Sequence, residues 1–464
     1  MRTTSNSMRF GHGLALSVAA MLAVPAPLLA WSGNATEVIV RVAPGESIAA
    51  LGSRHGVTVR ESMADRGIAL LTAHGPSPHA ATVARLRADS HVLWAEVNRE
   101  HFAPEGATQS FFFNVAPAAY DQQYMGETLG LGDAHDGATG QGVIVAVLDT
   151  GVDPNHPLLA GRVAPGVNFI DPNAAPNDAG NGLDDDGDGV VDEMAGHGTF
   201  IAGLILTVAP DATILPITVL NSDGVGTAYS VSKGIYHAIS AGADVINLSL
   251  VSPYPSSMVA EAIAAAEAQG IVVVASVGNT DKERPVYPAA YGSVVAVCAT
   301  DAADSRASFS DYGSYVDLAA PGVQVVSSWQ GEYASSSGAS FSAAIVSGAA
   351  ALIRSVEPSL PPAGVLGVLA ATSMPIDSLN PGYEGLLGAG RIQPDLAVLS
   401  LDGSVPASGP CDVDANGAAN SADIAAFVAL WSIQDPAADI DGNSVIDGAD
   451  IEAFLQAWLE CVGA

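Results

Sequence analysis

Basic residues are scarce in this chain. Of its 464 residues, 16 are lysine or arginine and 49 are aspartate or glutamate, which gives a formal net charge of −33. A surface this acidic repels phosphate backbones and anionic lipid, so we expect neither nucleic acid nor a membrane surface as a partner. The same charge favours solubility and the binding of calcium.

Long apolar runs are also rare, and the only one long enough to consider lies at the amino terminus. Arg2 and Arg9 precede an apolar stretch, residues 14–30, that two prolines interrupt. The alternative to a signal peptide is a membrane anchor, which the shortness of the stretch and its prolines disfavour. We therefore expect residues 1–30 to be a secretory signal peptide, and the mature chain to be secreted or held at the cell surface without membrane contact.

Cysteine is nearly absent as well, with three in the whole chain. Cys298 lies in an apolar run with no basic residue placed beside it, which predicts a buried core thiol rather than a nucleophile. Cys411 and Cys461 bracket a small carboxy-terminal segment. Because export permits disulfides, we expect these two residues to pair.

Apolar residues are abundant and make up 49% of the chain, enough for a large packed core. A chain of this length is too long for one core, so we expect two to four units. In the largest unit, residues 121–400, near-continuous apolar strands alternate with helices. Strands are predicted at 143–148, 245–250, 271–275 and 294–298, and helices at 229–241, 257–269 and 341–355. This alternation predicts an α/β fold with a doubly wound, mostly parallel sheet, which binds ligands at the carboxyl ends of its strands.

Four polar residues stand where such a fold would expose them. Asp149 follows the first strand of this unit and Asn279 follows a later one, whereas His197 opens a glycine-rich helix. Ser340 begins a helix that is apolar all round, where free N–H groups and the helix dipole stabilise an oxyanion. Asp149 alone would indicate no more than turn capping, but a serine nucleophile needs a base and the base needs an orienting carboxylate.

The segments around these residues, taken in order, resemble those of subtilisin-like serine peptidases. The resemblance rests on Val145–Val152, Gly196–Thr199, Asp244–Leu250, Val272–Asn279, Phe309–Ser314, Ala320–Gly322 and Ser337–Gly348. It implies that Asp149 orients His197, which serves as general base and acid for the nucleophile Ser340. It also implies an oxyanion hole formed by Asn279 and the Ser340 amide.

The resemblance further implies a cleft that binds peptide or protein substrates by strand addition. The residues expected to line it are Ser249, Leu250, Gly224, Gly226 and Gly278. The predicted function is thus that of a secreted serine endopeptidase that works through an acyl-enzyme and without an organic cofactor. The alternative is a calcium-dependent extracellular binding or docking protein with an inactive peptidase-like domain.

The chain departs from the family pattern near the nucleophile. Ala339 and Phe341 flank Ser340 where the family usually has threonine and methionine, and Ala344 stands in place of a proline. Val251 stands near a position where a glycine is expected. We expect these residues to alter rate and specificity rather than the class of reaction.

An amino-terminal domain, residues 31–102, precedes the main unit. Between residues 37 and 100 its pattern is β-α-β-β-α-β, which resembles in order and position the α+β propeptide of secreted subtilisins. In that family the propeptide assists folding and its tail blocks the cleft; the alternative is a plain accessory domain. Residues 103–120 are predicted to be a linker in which a maturation cut lies.

An acidic insertion between Asp149 and His197 has oxygen ligands at alternating positions followed by glycine, as calcium loops do. The candidate ligands are Asp184, Asp186, Asp188 and Asp192. An EF-type loop would need a ligand at position 12, where the chain has Ala195, so Asp192 or Glu193 would have to substitute. The alternative is a solvated acidic surface loop.

After a second linker, residues 401–410, the chain ends in a tandem repeat, residues 411–464. The candidate calcium ligands are Asp412, Asp414, Asn416, Asn420 and Asp423 in the first copy and Asp439, Asp441, Asn443, Asp447 and Asp450 in the second. Each copy is followed by a predicted helix, and the pair resembles the EF-hand-like, all-α dockerin repeats of extracellular proteins. This implies structural calcium and a cohesin-type or cell-surface partner; the alternatives are two acidic helical hairpins, or a tail that only stabilises the chain.

Overall fold

The computed structural model describes residues 37–74, 78–106, 112–401, 413, 421–432, 438–440 and 445–462. The predicted signal peptide and residues 402–410 of the second linker lie outside the described residues. So does Cys411, and its pairing with Cys461 therefore stays a prediction.

The amino-terminal domain has the predicted β-α-β-β-α-β order. Its elements are β1 Glu37–Val42, α1 Ile48–His55, β2 Thr58–Met63, β3 Ile68–Thr72, α2 Pro78–Arg87 and β4 Val92–Val97. The strands pair antiparallel in the order β2-β3-β1-β4. Because side chains alternate along a strand, Val38 and Val40 face the domain's own core, whereas Ile39 packs into the core of the larger unit.

A short connecting region follows, with β5 Glu100–Phe102, β6 Phe113–Val115, α3 Ala118–Asp121, α4 Met125–Thr128 and α5 Leu131–Gly137. The segment predicted as a linker thus contains a strand, β6. It is the edge strand of a three-stranded antiparallel sheet whose order is β15-β16-β6, with β15 Val325–Trp329 and β16 Glu332–Ser336.

A seven-stranded parallel sheet forms the centre of the larger unit, as predicted. Its strands are β7 Ile144–Asp149, β8 Val167–Asn168, β9 Thr213–Thr218, β11 Val245–Leu248, β12 Val272–Ser276, β13 Val294–Thr300 and β14 Leu318–Pro321. They lie in the order β14-β13-β12-β11-β7-β9-β8. A further short strand, β10 Val225–Thr227, pairs with β5 outside this sheet.

Helices cover both faces of the sheet. They are α6 His197–Val208, α7 Ala228–Ser240, α8 Ser257–Glu267, α9 Ala339–Val356, α10 Pro362–Ala371 and α11 Pro394–Leu399. Along β7, Val145 and Val147 share a core with α6 and α9, whereas Ala146 and Leu148 share one with α7 and α8. The near-continuous apolar sequence of β7 follows from this burial on both faces.

Helix α9 is also long and apolar enough by composition to cross a membrane, so the expectation that only the amino-terminal stretch is long enough to consider is wrong. However, 89% of this helix is buried within the structure. It runs through the middle of the larger unit and packs against α6 and five strands of the parallel sheet. Its apolar sequence is therefore explained by the core.

The described part of the carboxy-terminal repeat contains the two predicted helices, α12 Ser421–Ser432 and α13 Gly448–Val462. The equivalent residues Phe427 and Phe454 stack with ring centroids 4.3 Å apart. Ile424 of α12 packs against α10, and these side chains continue the apolar core that surrounds α9.

Candidate active site

Three elements bring the predicted triad together. Asp149 is the last residue of β7, His197 is the first of α6, and Ser340 is the second of α9. All three side chains are fully buried. Asp149 Oδ1 lies 2.8 Å from His197 Nδ1, which leaves His197 Nε2 to face the serine side of the centre.

Asn279 joins this group from the loop after β12. Its Oδ1 accepts a hydrogen bond of 2.8 Å from the Ala339 N–H, which turns its amide nitrogen toward the catalytic centre. The Ser249 hydroxyl donates to the Ser340 carbonyl over 2.9 Å and so fixes the start of α9. Alanine at position 339, where the family usually has threonine, therefore keeps the backbone hydrogen bond to Asn279.

A fifth residue, Glu105, completes the cluster, and the sequence analysis missed it. Its Oε2 accepts from the Ser340 hydroxyl at 2.8 Å and lies 3.1 Å from His197 Nε2. Its Oε1 accepts from the Asn279 amide at 2.9 Å. Gly338 leaves room for this carboxylate, because a Cβ on it would overlap Glu105 Oε1. The one signal in the sequence was an acidic residue shortly after the last strand of the amino-terminal domain.

The charge on His197 follows from these neighbours. Burial by itself lowers the pKa of the imidazole, but the charge and hydrogen bond of Asp149, reinforced by Glu105, raise that pKa to about 10. An imidazolium between two carboxylates is stable in this arrangement and cannot accept the serine proton.

Residues 100–103 run along the cleft as an added strand. In β5, His101 pairs with Gly226 of β10, and on the other side Phe102 exchanges both backbone hydrogen bonds, each 2.9 Å, with Val251. The Ala103 N–H donates to the Gly224 carbonyl over 2.9 Å. The predicted cleft residues Gly224 and Gly226 are thus paired with an extended segment of the chain itself.

The other predicted cleft residues have different surroundings. Ser249 presents its carbonyl 3.4 Å from the Ser340 hydroxyl, and the Leu250 side chain is buried in the core. The backbone partner of the added strand is Val251, one residue beyond the predicted pair. Gly278 adjoins Asn279 and accepts a 2.9 Å hydrogen bond from the Asp311 N–H.

Phe341, the bulky residue after the nucleophile, belongs to an aromatic cluster. Its ring lies 4.6 Å from that of Phe200 and 6.1 Å from that of His197. Phe112 stacks on Trp329 with ring centroids 3.6 Å apart and also meets the edge of Phe341. Phe341 therefore fills a packed position beside the triad without blocking it.

Two groups of carboxylates occupy the acidic insertion. Asp184, Asp186 and Asp223 form one and Asp186, Asp188 and Glu193 the other, each with ligand oxygens within 4.8 Å of one another. Burial, followed by the charges of Asp223 and its neighbours, raises the pKa of Glu193 to about 8. Among the described residues, Glu193 Oε2 is buried without a hydrogen-bond partner. This donor set fits a calcium ion, which takes six to eight oxygens.

Asp192, which the sequence placed among these ligands, has other partners. Its carboxylate accepts hydrogen bonds of 2.7 and 2.8 Å from the backbone N–H groups of Asn181 and Gly182. Asp223, whose place in the group the sequence analysis missed, comes from the turn before Gly224. Asp223 lies about 40 residues after Asp184 along the chain, so the spacing of ligands within one loop could not reveal it.

The carboxy-terminal ligand set is described in part. Asp423 and Asp450 are fully buried. Asp450 accepts backbone hydrogen bonds from Ile440 at 2.8 Å and Asp447 at 2.9 Å. Asp439 is half-buried. The remaining predicted ligands, Asp412, Asp414, Asn416, Asn420, Asp441 and Asn443, lie outside the described residues.

Cys298 is a buried free thiol, as predicted. Burial raises its pKa to about 12, so it stays protonated and takes no part in the chemistry.

The fold and the cluster at its centre have a match among known families. Residues 140–395, more than half of the chain, match the subtilase family of peptidases (peptidase S8), and the chain belongs to that family. The predicted subtilisin-like α/β fold with a large parallel sheet is confirmed.

Individual relatives support the same assignment. Thermitase of Thermoactinomyces vulgaris is 40% identical over 240 residues, which cover 52% of this chain and 84% of thermitase. Subtilisin BL of Lederbergia lenta is 39% identical over 267 residues, which cover 55% and 93%. The chain is a serine endopeptidase of the subtilisin type, and its substrates are peptide chains.

A solved structure supports the fold alone. Fervidolysin from Fervidobacterium pennivorans, described as a keratinolytic enzyme related to subtilisin, superposes with a TM-score of 0.63 at 23% identity. The match covers 78% of this chain and 60% of fervidolysin.

Proposed function

We propose that this chain is the precursor of a secreted serine endopeptidase whose catalytic triad is Asp149, His197 and Ser340. The observation that carries the proposal is that one carboxylate, Glu105, contacts Ser340 Oγ, His197 Nε2 and the Asn279 amide at 2.8, 3.1 and 2.9 Å. A group that meets all three occupies the place where a reacting carbonyl would be attacked, activated and stabilised.

The chemistry follows from these positions. Ser340 Oγ adds to the substrate carbonyl while its proton moves to His197 Nε2, and Asp149 holds the ring through Nδ1. The oxyanion receives hydrogen bonds from the Asn279 amide and the Ser340 N–H. His197 then gives its proton to the leaving amine, and water hydrolyses the acyl-enzyme by the same route.

The amino-terminal domain, residues 31–102, acts in this proposal as an inhibitory propeptide whose tail extends to Glu105. Three contacts support this role: β5 pairs with β10, Phe102 pairs with Val251, and Glu105 lies against the triad. The domain also caps α8, because Glu96 accepts hydrogen bonds from the Ser256 hydroxyl and the Ser257 N–H at 2.6 and 2.7 Å. Removal of residues 1–30 on export and a cut after Glu105, within residues 103–120, would then produce the mature enzyme.

Calcium has a structural role in the same proposal. The carboxylates Asp184, Asp186, Asp188 and Glu193 hold it together with Asp223, which precedes the cleft-edge residue Gly224. A cation there would neutralise the cluster and steady that edge of the cleft. The carboxy-terminal repeats would bind further calcium, which the burial of Asp423 and Asp450 in the first turns of α12 and α13 favours. They would also dock to a cohesin-type or cell-surface partner.

A labelling experiment tests the assignment of the nucleophile. The processed wild-type enzyme should react with a fluorophosphonate probe at Ser340, and Ser340→Ala should not react. Ser337→Ala is the matched control, since it removes a nearby hydroxyl that accepts only from the Gln324 N–H, and it should label like the wild type. A folded, processed wild-type protein that stays unlabelled would instead favour a calcium-dependent binding protein with an inactive peptidase-like domain.

A further inference from the structure

Asp178 lies between the two segments that carry Asp149 and His197, in the connection from β8 to α6. From its four hydrogen bonds we infer that Asp178 is a positioning residue, which holds the His197 helix in register with the carboxyl end of the Asp149 strand. This inference rests on the proposed function of the triad.

The amino end of α6 has no capping side chain of its own. Its N-cap residue is Gly196, so the first free N–H groups need an acceptor from elsewhere. Asp178 Oδ1 accepts from the Gly196 N–H at 2.7 Å, and Oδ2 accepts from the Thr199 N–H and hydroxyl, each at 2.7 Å. A carboxylate thus caps the helix that begins at His197 and complements its dipole.

The same carboxylate reaches the Asp149 strand through Thr150. The Thr150 hydroxyl donates to Asp178 Oδ1 at 2.9 Å and accepts from the Gly198 N–H at 3.0 Å. The Thr150 N–H donates at 2.7 Å to Asp149 Oδ1, the oxygen that also faces His197 Nδ1. One hydrogen-bonded chain therefore runs from Asp178 through Thr150 and Asp149 to the imidazole.

Close packing makes this register sensitive to small shifts. A Cβ on Gly198 would overlap the Gly151 carbonyl oxygen and lie 3.0 Å from Asp149 Cβ, so the helix start meets the end of the strand at a position that requires glycine. The Val152 N–H donates to the Pro176 carbonyl over 2.9 Å, which fixes the Asp178 segment against the end of the strand. A change at Asp178 must move one of these segments relative to the other.

The hydrogen bonds of Asp178 go to Thr150, Gly196 and Thr199. The residues that pair with the extended segment in the cleft are different ones, Val251 and Gly224, in the loop after β11 and the turn before β10. Loss of Asp178 should therefore act on proton transfer by His197 and lower kcat, with little change in KM.

Asp178→Asn is the test, since an amide keeps the shape but turns a donor toward one of the helix N–H groups. We expect kcat per folded enzyme to fall about 10- to 100-fold, as small misplacements of catalytic groups do, with KM within about twofold. The charged groups facing His197 are Asp149 and, in the precursor, Glu105. Burial raises the pKa of Asp178 to about 6, so its carboxylate is charged above that pH. There, loosening the Asp149 contact and removing the Asp178 charge both favour neutral imidazole, so the acid limb of kcat/KM should move down by about half a pH unit.

Asp171→Asn is the matched control, because it removes an exposed carboxylate from the same connection and should match the wild type. Thr150→Val, which breaks the bridge between Asp178 and the Gly198 N–H, should change kcat and the acid limb in the same direction as Asp178→Asn. Rates are divided by the concentration of folded, processed enzyme, so that slow processing of a variant does not count as a lower kcat.

The inference is overturned if Asp178→Asn keeps the kcat and acid limb of Asp171→Asn. It is equally overturned if activity falls only in proportion to the folded fraction and the acid limb stays in place, since that would make Asp178 merely structural. Failure of the wild type to label at Ser340 would refute the proposed triad instead, so the two failures are distinguishable.

Discussion

The carboxylate of Glu105 is buried in the place where we propose that the substrate carbonyl binds. Its two oxygens contact the Ser340 hydroxyl, the His197 ring and the amide of Asn279, and its charge helps raise the pKa of His197 to about 10. Asp149 stays on His197 when the cleft is open, so only the part of the rise that Glu105 adds stabilises the closed state. That contribution is lost as the pH rises toward 10, where the imidazolium of the closed state gives up its proton.

Glu105→Gln should therefore open the cleft of the unprocessed chain. The amide keeps the volume of the carboxylate but loses the ion pair with His197, and its NH2 group faces another donor. We expect fluorophosphonate labelling of the unprocessed chain at pH 8 to be at least about 10-fold faster, since breaking a buried ion pair is costly. The wild-type rate should climb from pH 7 to pH 10, and the variant rate should change less.

Glu100→Gln is the control for that change. Glu100 lies on β5 as well, but its pKa is raised by burial and by the charge of Asp186 and not by the catalytic groups. Labelling of Glu100→Gln should stay close to that of the wild type. Equal labelling of Glu105→Gln and the wild type would show that Glu105 does not keep the cleft closed.

At the scale of elements, β5 is the strand that the proposed propeptide adds to the cleft beside β10, and its central residue, His101, is fully buried. Within the described residues neither of its ring nitrogens has a hydrogen-bond partner. Burial lowers its pKa to about 4, against a weaker opposing contribution from the Arg99 backbone. The undocked strand binds the proton more readily, so docking weakens as the pH falls from about 6.5 to 4, by as much as about 3 kcal/mol.

Acid should accordingly release β5, and His101→Leu should remove that dependence. We would measure limited proteolysis at residues 100–106 between pH 6.5 and 4, with a protease that is active throughout this range, in chains that also carry Ser340→Ala so that they cannot process themselves. Toward pH 4, cleavage should become faster in the chain that keeps His101 than in the His101→Leu chain. His91→Leu, a change at an exposed histidine of the same domain, should behave like the His101 chain. Parallel pH profiles for all three chains would contradict the role of His101.

At the scale of the whole molecule, the sequence was informative where structure is local. The apolar run before Asp149 predicted a strand buried on both faces, and parallel strands necessarily bring their carboxyl ends to one edge of the sheet. Glu105 and Ser340 are 235 positions apart, and nothing periodic in the sequence relates them. For the same reason β6 was hidden in a predicted linker, because its strand pairing is with the distant β16.

The ends of elements were also harder to predict than their existence. The strand predicted over 245–250 ends at Leu248 in the parallel sheet. The chain stays extended beyond it because Val251 pairs with Phe102 from the amino-terminal domain. An apolar sequence pattern predicts that a strand is buried, but it does not predict which neighbouring strand forms the backbone hydrogen bonds.

At the formal net charge of −33 the acidic groups repel one another, and bound or screening cations reduce that repulsion. Asp186 belongs to both carboxylate groups of the insertion, so a bound calcium ion would relieve repulsion there and brace the turn that contains Asp223. A ligand present at a hundred times its dissociation constant stabilises the folded state by about 2.7 kcal/mol. Chelation of calcium in low salt should therefore lower the melting temperature by several degrees, and magnesium should restore it poorly because it prefers a strict octahedral shell.

Asp186→Asn separates calcium binding from simple charge repulsion. If the cluster binds calcium, this variant should melt earlier in calcium and lose less stability on chelation, since one ligand is already weakened. Asp171→Asn carries the same charge change on an exposed residue outside the cluster and should respond to chelation like the wild type. The calcium site is contradicted if chelation leaves the melting temperature of all three proteins unchanged while sodium chloride raises it equally in all three. Cations would then act only by screening surface charge.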